Sequence, residues 1–228
     1  MGKVKIWNSR ANDWWDVAHN TRIWNGHNWQ KAKIRGWDGH RWVMLSEERH
    51  VDTWEATGSW SYWSNMINGG AAKGFSALVN PKKFISAGCY SPNHDYFDRG
   101  DEGSMIWFND GDIRNKLSGA RIESVKVYLC NAHWYYHSGG VARVGTHNER
   151  SGWSDRFQEA NGLVAERRMS YGEGAWIDLP TWVGDNFRDN KLSGLTVRGY
   201  DLSHLHYGYY YGAHNCWRSP KLQITYWK

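Results

Sequence analysis

The 228-residue sequence predicts an all-β protein, an antiparallel jelly-roll β-sandwich preceded by a small β-hairpin repeat module. Three observations carry that prediction. The chain holds 17 Trp, 13 Tyr and 25 Gly against 4 Pro, at a mean hydropathy of −0.76, so its apolar character comes from flat rings rather than aliphatic bulk. Such rings suit pleated, half-buried surfaces and ligand stacking. A Trp-turn-Trp motif recurs near the start, and from Val51 onward short alternating runs are separated by Gly, Asn, Asp and Ser clusters. Many short strands with frequent turn signals point to a sandwich, and no helix of more than two turns is predicted.

In chain order, the first element is one motif written three times. Its copies are Ile6-Trp7-Asn8, then Ile23-Trp24-Asn25-Gly26-His27-Asn28-Trp29, then Gly36-Trp37-Asp38-Gly39-His40-Arg41-Trp42, the first looser than the others. Asn-Gly and Asp-Gly tolerate the positive φ that both central residues of a type I′ turn need, so each copy predicts a tiny hairpin. Trp24 then faces Trp29, and Trp37 faces Trp42, across paired strands. A unit this short cannot bury its own rings, so the next unit, the main domain or other chains must cover them. The rings are expected to form the core of that ladder, the competing use being an exposed ligand platform. Residues 1–48 are assigned to this module and residues 49–228 to the sandwich. Tandem units of this kind resemble the short repeats of phage tail and baseplate proteins, which precede a β-sandwich that contacts the host. The resemblance covers about residues 4–45.

Within the sandwich, Ile122–Leu129, Leu195–Arg198 and Leu222–Tyr226 alternate with a two-residue period and are predicted strands. Ala175–Leu179 is another, stopped by Pro180. An internal echo joins Trp107–Gly119 to Trp182–Gly194: each runs from Trp through an Asn- or Asp-rich turn to Asn-Lys-Leu-Ser-Gly and a strand. Both predict the same corner, with Leu anchoring and Gly turning. The order Lys116-Leu117-Ser118-Gly119, Ser124-Val125-Lys126-Val127-Tyr128-Leu129, Trp176-Ile177-Asp178-Leu179-Pro180 and Pro220-Lys221-Leu222-Gln223-Ile224-Thr225-Tyr226 resembles jelly-roll carbohydrate-binding modules of phage tail proteins and some cell-wall enzymes. That resemblance extends from about residue 105 to 228 and implies the fold alone.

Charge restricts the partners. Residues 1–45 carry eight Lys and Arg against three acids, whereas residues 46–228 carry 20 of each, so the larger part is neutral. Nucleic-acid affinity rests on phosphate neutralisation by a basic face, and no nucleic-acid partner is expected. No run of some 18 apolar residues is present and the start lacks an apolar leader, so no membrane insertion is expected. Cys89, Cys130 and Cys216 are odd in number and lack C-x-x-C spacing, which fits a reducing compartment.

No GxSxG elbow, HExxH or Walker loop is present, no pair of carboxylates is singled out, and an enzyme is not expected. His133 with His137 lie too far apart on a strand to share a metal, and His204 with His206 lack further ligands, so no metal site and no cofactor are expected. Asp95, Asp98, Asp101, Glu102, Asp110 and Asp112 could supply oxygens to a structural calcium but read as a solvated loop. Ring clusters are the better candidates. With Val125, Val127 and Leu129 inward, Tyr128, Trp134 and Tyr136 fall on the other face unless a bulge intervenes. From 204 to 212, Leu205, Tyr207, Tyr209 and Tyr211 read as core, and His204, His206, Gly208, Tyr210 and Gly212 as a groove floor. Rings stack on sugar C–H faces and His bonds hydroxyls, so the predicted ligand-binding residues are Tyr128, Trp134, Tyr136, His204, His206 and Tyr210.

Together with the resemblance, these features imply a non-enzymatic virion protein that binds a host cell-surface polysaccharide during adsorption. Its N-terminal module would hold other tail proteins and build a homo-oligomer such as a trimer. A structural tail or capsid decoration protein that touches no glycan is the alternative, and a glycan hydrolase or its detached binding module the third.

Overall fold

The computed structural model describes residues 5–16, 21–37, 39–44, 47–64, 74–75, 83–88, 101–136, 139–150, 158–200 and 206–228. The chain divides into two compact units, Met1–His50 with Trp227–Lys228, and Val51–Tyr226.

The first unit contains the three predicted hairpins. Strand β1 (Lys5–Asn8) pairs β2 (Asp13–Asp16), β3 (Arg22–Trp24) pairs β4 (Trp29–Lys31), and β5 (Arg35–Trp37) pairs β6 (Trp42–Met44), all antiparallel. Trp7 faces Trp14, Trp24 faces Trp29 and Trp37 faces Trp42, with ring centroids 5.5, 5.7 and 5.9 Å apart and planes inclined by 57° to 68°. The turns differ from the predicted type I′. Positive φ falls on Gly26 (+96°) and not on Asn25, so the two residues do not share the positive φ of a type I′ turn. Asn25 instead closes the turn with its side chain, Oδ1 accepting from the His27 and Asn28 N–H groups at 2.9 and 2.8 Å. Asn8 does the same for Arg10 and Ala11 in the looser first copy, at 3.0 and 3.3 Å. The Ile-Trp-Asn word therefore encodes a paired ring followed by an Asx turn.

In the second unit, one sheet holds β7 (Arg49–Glu55), β10 (Phe84–Ala87), β12 (Arg121–Trp134), β15 (Gly174–Leu179), β17 (Gly208–Tyr211) and β18 (Lys221–Trp227). The other runs β14 (Ala165–Met169), β13 (Gly140–His147), β16 (Gly194–Arg198), β11 (Asp101–Trp107), β8 (Gly58–Ser64), β9 (Gly74–Phe75). The chain changes sheet at nearly every step, as a jelly-roll sandwich does. All four predicted strands form: Ile122–Leu129 within β12, Ala175–Leu179 within β15, Leu195–Arg198 within β16 and Leu222–Tyr226 within β18. Their inward side chains, among them Val125, Val127, Leu129, Ile177, Val197, Leu222 and Ile224, make one contiguous buried cluster.

The predicted corners are helical. Helix α1 (Asp110–Leu117) and helix α2 (Thr181–Arg188) each have eight residues, slightly more than two turns. Asn109 caps α1 by accepting the Asp112 N–H, acids occupy its first turn and bases its last, and Ile113 and Leu117 bury one i, i+4 face. Val183 and Phe187 do so in α2. The shared words are offset: Asn115-Lys116-Leu117 ends α1, whereas Asn190 follows α2 at φ +61°. Leu117 and Leu192 are both buried anchors. Gly119 turns at φ +72°, but Gly194 does not. A Cβ on Gly194 would run into His147 and the Ile106 carbonyl, so that glycine serves close packing.

The acidic stretch read as one loop is distributed over two elements. Asp101 and Glu102 belong to β11, where buried Glu102 accepts from Ser86 Oγ, and Asp110 and Asp112 open α1. Asp95 and Asp98 lie outside the described residues, as does Cys89. Cys130 is buried and Cys216 exposed, both as free thiols.

Candidate functional site

Two of the predicted ligand-binding rings belong to the core. Trp134 is 2% exposed and Tyr210 is 0% exposed, and they pack edge to face at 5.6 Å. The cause is a β-bulge. Register between β12 and β17 shifts between Asn131 and His133, which reverses the parity of the strand end and turns Trp134 inward. Asn131 pins the bulge: its buried amide donates to the His133 and Tyr209 carbonyls, each at 2.9 Å, and accepts from the Gly172 N–H at 3.1 Å. The glycines read as gaps in a groove floor provide room for Trp134. Its register partner is Gly208, and a Cβ on Gly208 or Gly140 would penetrate its ring. Tyr210 therefore points inward beside Ile85, and burial pushes its phenol well above the usual range.

The opposite parity gives the outward face. Tyr128 points away from Val127 and Leu129 and packs on Trp176, its register partner on β15, with centroids 5.4 Å apart. Lys221 Nζ lies 5.8 Å over the Tyr128 ring. Tyr209 and Tyr211, the residues assigned to the core from sequence, alternate outward on β17. Phe84 on β10 meets Tyr209 nearly stacked, at 6.3 Å and 27°, and Tyr211 at 5.3 Å. His133 extends this row, 5.3 Å from Tyr209 and 5.9 Å from Tyr171. At the other end the Arg218 guanidinium lies 4.7 Å over both Tyr211 and exposed Trp217, and donates to the Tyr211 hydroxyl at 2.7 Å. Arg218 also links the row to Tyr128. Burial pushes the Tyr128 phenol and the Cys130 thiol up, and the Arg218 charge pulls both back. One sheet face thus carries partly exposed rings with Arg218, Lys221 and His133 among them, an arrangement able to stack on C–H faces and bond hydroxyls.

The other predicted residues lie elsewhere. Tyr136 is exposed beside Tyr135 in the turn after β12, at 5.6 Å. Half-buried His206 meets exposed Tyr200 edge to face at 5.5 Å, and the Arg143 guanidinium lies 5.1 Å over the Tyr200 ring. His204 and His137 lie outside the described residues. Of the six, Tyr128 alone belongs to the ring row. Sequence reasoning missed Phe84, Trp176, Tyr209, Tyr211 and Arg218, although Trp176 keeps the alternation of Ala175-Trp176-Ile177 and was readable as an outward ring.

A separate cleft of about 240 Å³ is lined by Thr57, Gly58, Trp107, Phe108, Asp110, Arg150 and Ser193. Behind it, His147 is fully buried and its imidazole is pushed down to about 4 by desolvation. Nδ1 accepts the Glu149 N–H at 3.2 Å, so the neutral ring carries its proton on Nε2 and donates to the Ile106 carbonyl at 3.1 Å. Ser193 Oγ gives its proton to the Glu149 carbonyl at 2.7 Å. Serine and histidine here fasten one loop, with Ser193 Oγ also 3.4 Å from His147 Nδ1.

Compared with models of protein families, the chain matches none, and no curated protein matches it.

Proposed function

We propose that the protein is a non-enzymatic glycan-binding protein that uses the outward face of the β12, β15 and β17 strands. The observation that carries the reading is the row Phe84, Tyr209, Tyr211 and Arg218 with Trp217 at its end, continued by Tyr128 and Trp176. Pyranose rings offer axial C–H groups to aromatic faces, and the interleaved cations and His133 offer hydrogen bonds. The resemblance of the Trp repeats to those of phage tail proteins supports a place on a virion, with a host cell-surface polysaccharide as ligand. Several copies joined through the first unit would multiply weak sites by raising effective concentration.

The test is affinity electrophoresis of the full chain through gels containing soluble bacterial cell-surface polysaccharides, with sedimentation on purified envelopes. Tyr211→Ala and Trp217→Ala remove surface rings and are expected to weaken binding roughly tenfold each, about 1.4 kcal/mol. Retardation by no polysaccharide, or full retention in the double variant, overturns the reading.

A second reading is favoured by one observation. Trp14, Trp24, Trp29, Trp37 and Trp42 are all exposed on the hairpins, as rings awaiting a protein neighbour would be. In that reading the chain is virion architecture and touches no sugar. A homo-oligomer, such as a trimer, that fails every glycan test supports it.

A further inference from the structure

The hairpins repeat a detail that the attachment role does not use. Each Trp pair is preceded, two residues before its first ring, by a cation: Lys5 before Trp7, Arg22 before Trp24, Arg35 before Trp37. Residues two apart on a strand share a face. Arg22 pairs with Lys31 across the same face as Trp24 and Trp29, and Arg35 lies on the face of Trp37 and Trp42. Lys5 holds the equivalent register position, opposite Asp16. Lys31 is engaged, donating to the Glu47 carbonyl at 3.0 Å and lying 5.3 Å over Trp227. Among the described residues, neither the Arg22 nor the Arg35 side chain forms an ion pair or hydrogen bond.

We propose that the Trp-pair faces of the second and third hairpins bind an anionic polysaccharide, each face taking about two sugar rings and one carboxylate or phosphate. The inference is independent of the sandwich site. Three features select this ligand. The first unit carries ten Lys and Arg against five Asp and Glu, so the chain's entire net charge of +5 resides there and the sandwich is neutral. An anionic polymer therefore prefers the hairpins to the sandwich. The four rings of the second and third hairpins are 54% to 64% exposed, and their polar turns place Asn25, His27 and Asn28 next to one pair, within reach of hydroxyls.

Charge spacing favours a polysaccharide over a nucleic acid. Single-stranded nucleic acid carries a phosphate with every base, whereas the third hairpin sets Arg35 alone on the face of two rings, and in the second Lys31 is engaged, which leaves Arg22 for its two. Within each pair the planes are inclined by 57° to 68° at 5.5 to 5.9 Å, so the rings close on each other and leave their outer faces to a ligand.

The test titrates Trp fluorescence of the full chain with four probes: hyaluronan, which has one carboxylate per two sugar rings, a soluble phosphate-bearing teichoic acid, neutral dextran, and single-stranded oligo-dT. Expected are binding of hyaluronan or the teichoic acid with a dissociation constant that rises with salt, and at least a tenfold loss in the exposed-site variant Arg22→Ala/Arg35→Ala. The relative affinity of those two probes identifies the anion. Trp217→Ala/Tyr211→Ala leaves this binding intact, so failure of the sandwich reading is scored separately. Equal affinity for dextran, tighter binding of oligo-dT at matched charge, binding of none of the probes, or full affinity in the arginine variant overturns the proposal.

Discussion

Trp24 and Trp134 each meet a neighbouring ring at nearly the same distance, with opposite consequences. Trp24 meets Trp29 at 5.7 Å across a hairpin and stays 54% exposed, while Trp134 meets Tyr210 at 5.6 Å and is 2% exposed. Ring-on-ring geometry therefore does not decide stability here, and the area withdrawn from water does. In the sandwich, Gly140 and Gly208 give Trp134 its space, and two sheets close over it. A hairpin of three-residue strands has no second layer. The largest effect expected from breaking this comparison is that of Trp134→Ala, which removes a buried ring and costs about 3–5 kcal/mol. Urea denaturation followed by circular dichroism measures it, and a loss under 1 kcal/mol would show that the ring is not a core element.

Next in size is the response to acid. His147 holds its imidazole near 4 in the folded protein, below its ordinary 6.5, because burial disfavours the charged form. Between those values the unfolded chain binds the extra proton and the folded chain does not, so stability falls as pH falls from about 6.5 towards 4. By pH 4 the loss from this residue amounts to about 3 kcal/mol. His147→Gln, which can keep the acceptor for Glu149 N–H, is expected to flatten this part of the pH–stability curve. An unchanged slope in the variant sinks the assignment. Smaller again is Asn131→Ala, which deprives the His133 and Tyr209 carbonyls of a donor and frees the bulge, at about 1–3 kcal/mol. Because the bulge aims Trp134 inward, this variant and Trp134→Ala are expected to be non-additive in a double-mutant cycle.

These residues also show how much the sequence could reveal. The hairpins, the Trp partners and four sandwich strands were legible because two-residue alternation and Asn-Gly turns act locally. The helices were readable too, since Asn109, Asp110 and Asp112 make an N-terminal cap signal, but the repeated Asn-Lys-Leu-Ser-Gly word suggested a common turn. The ring site was not legible. One residue's register shift at Asn131 exchanged the two faces of the strand end, and the parity of residues 208–212 depended on Trp134 from another strand taking the glycine side. Tyr128 precedes the bulge and was placed outward correctly, whereas Trp134 follows it and was not. Information that lives in a long-range pairing is absent from the local pattern.

The smallest expected effect sharpens the comparison from the exposed side. Trp29→Ala removes one ring of a pair that contributes about 0.5–1.5 kcal/mol to its hairpin beyond area burial. An isolated two-stranded hairpin is only marginally stable, so that loss suffices to open this one locally. The sandwich core contains none of the hairpin rings, and its cooperative unfolding is expected to keep its midpoint within a degree or so. Far-ultraviolet circular dichroism reads both quantities in one sample: the coupled signal of the paired hairpin indoles falls by about a third, since one of the three such pairs among the described residues is lost, while the thermal transition stays in place. Trp29→Ala lowering that transition by as much as Trp134→Ala would instead mean that the exposed ring supports the sandwich, and the division of labour between covered and uncovered tryptophans would fail. With the transition unmoved, the rings of this pair serve their own hairpin and the ligand or partner that meets them, and have no part in holding the sandwich together.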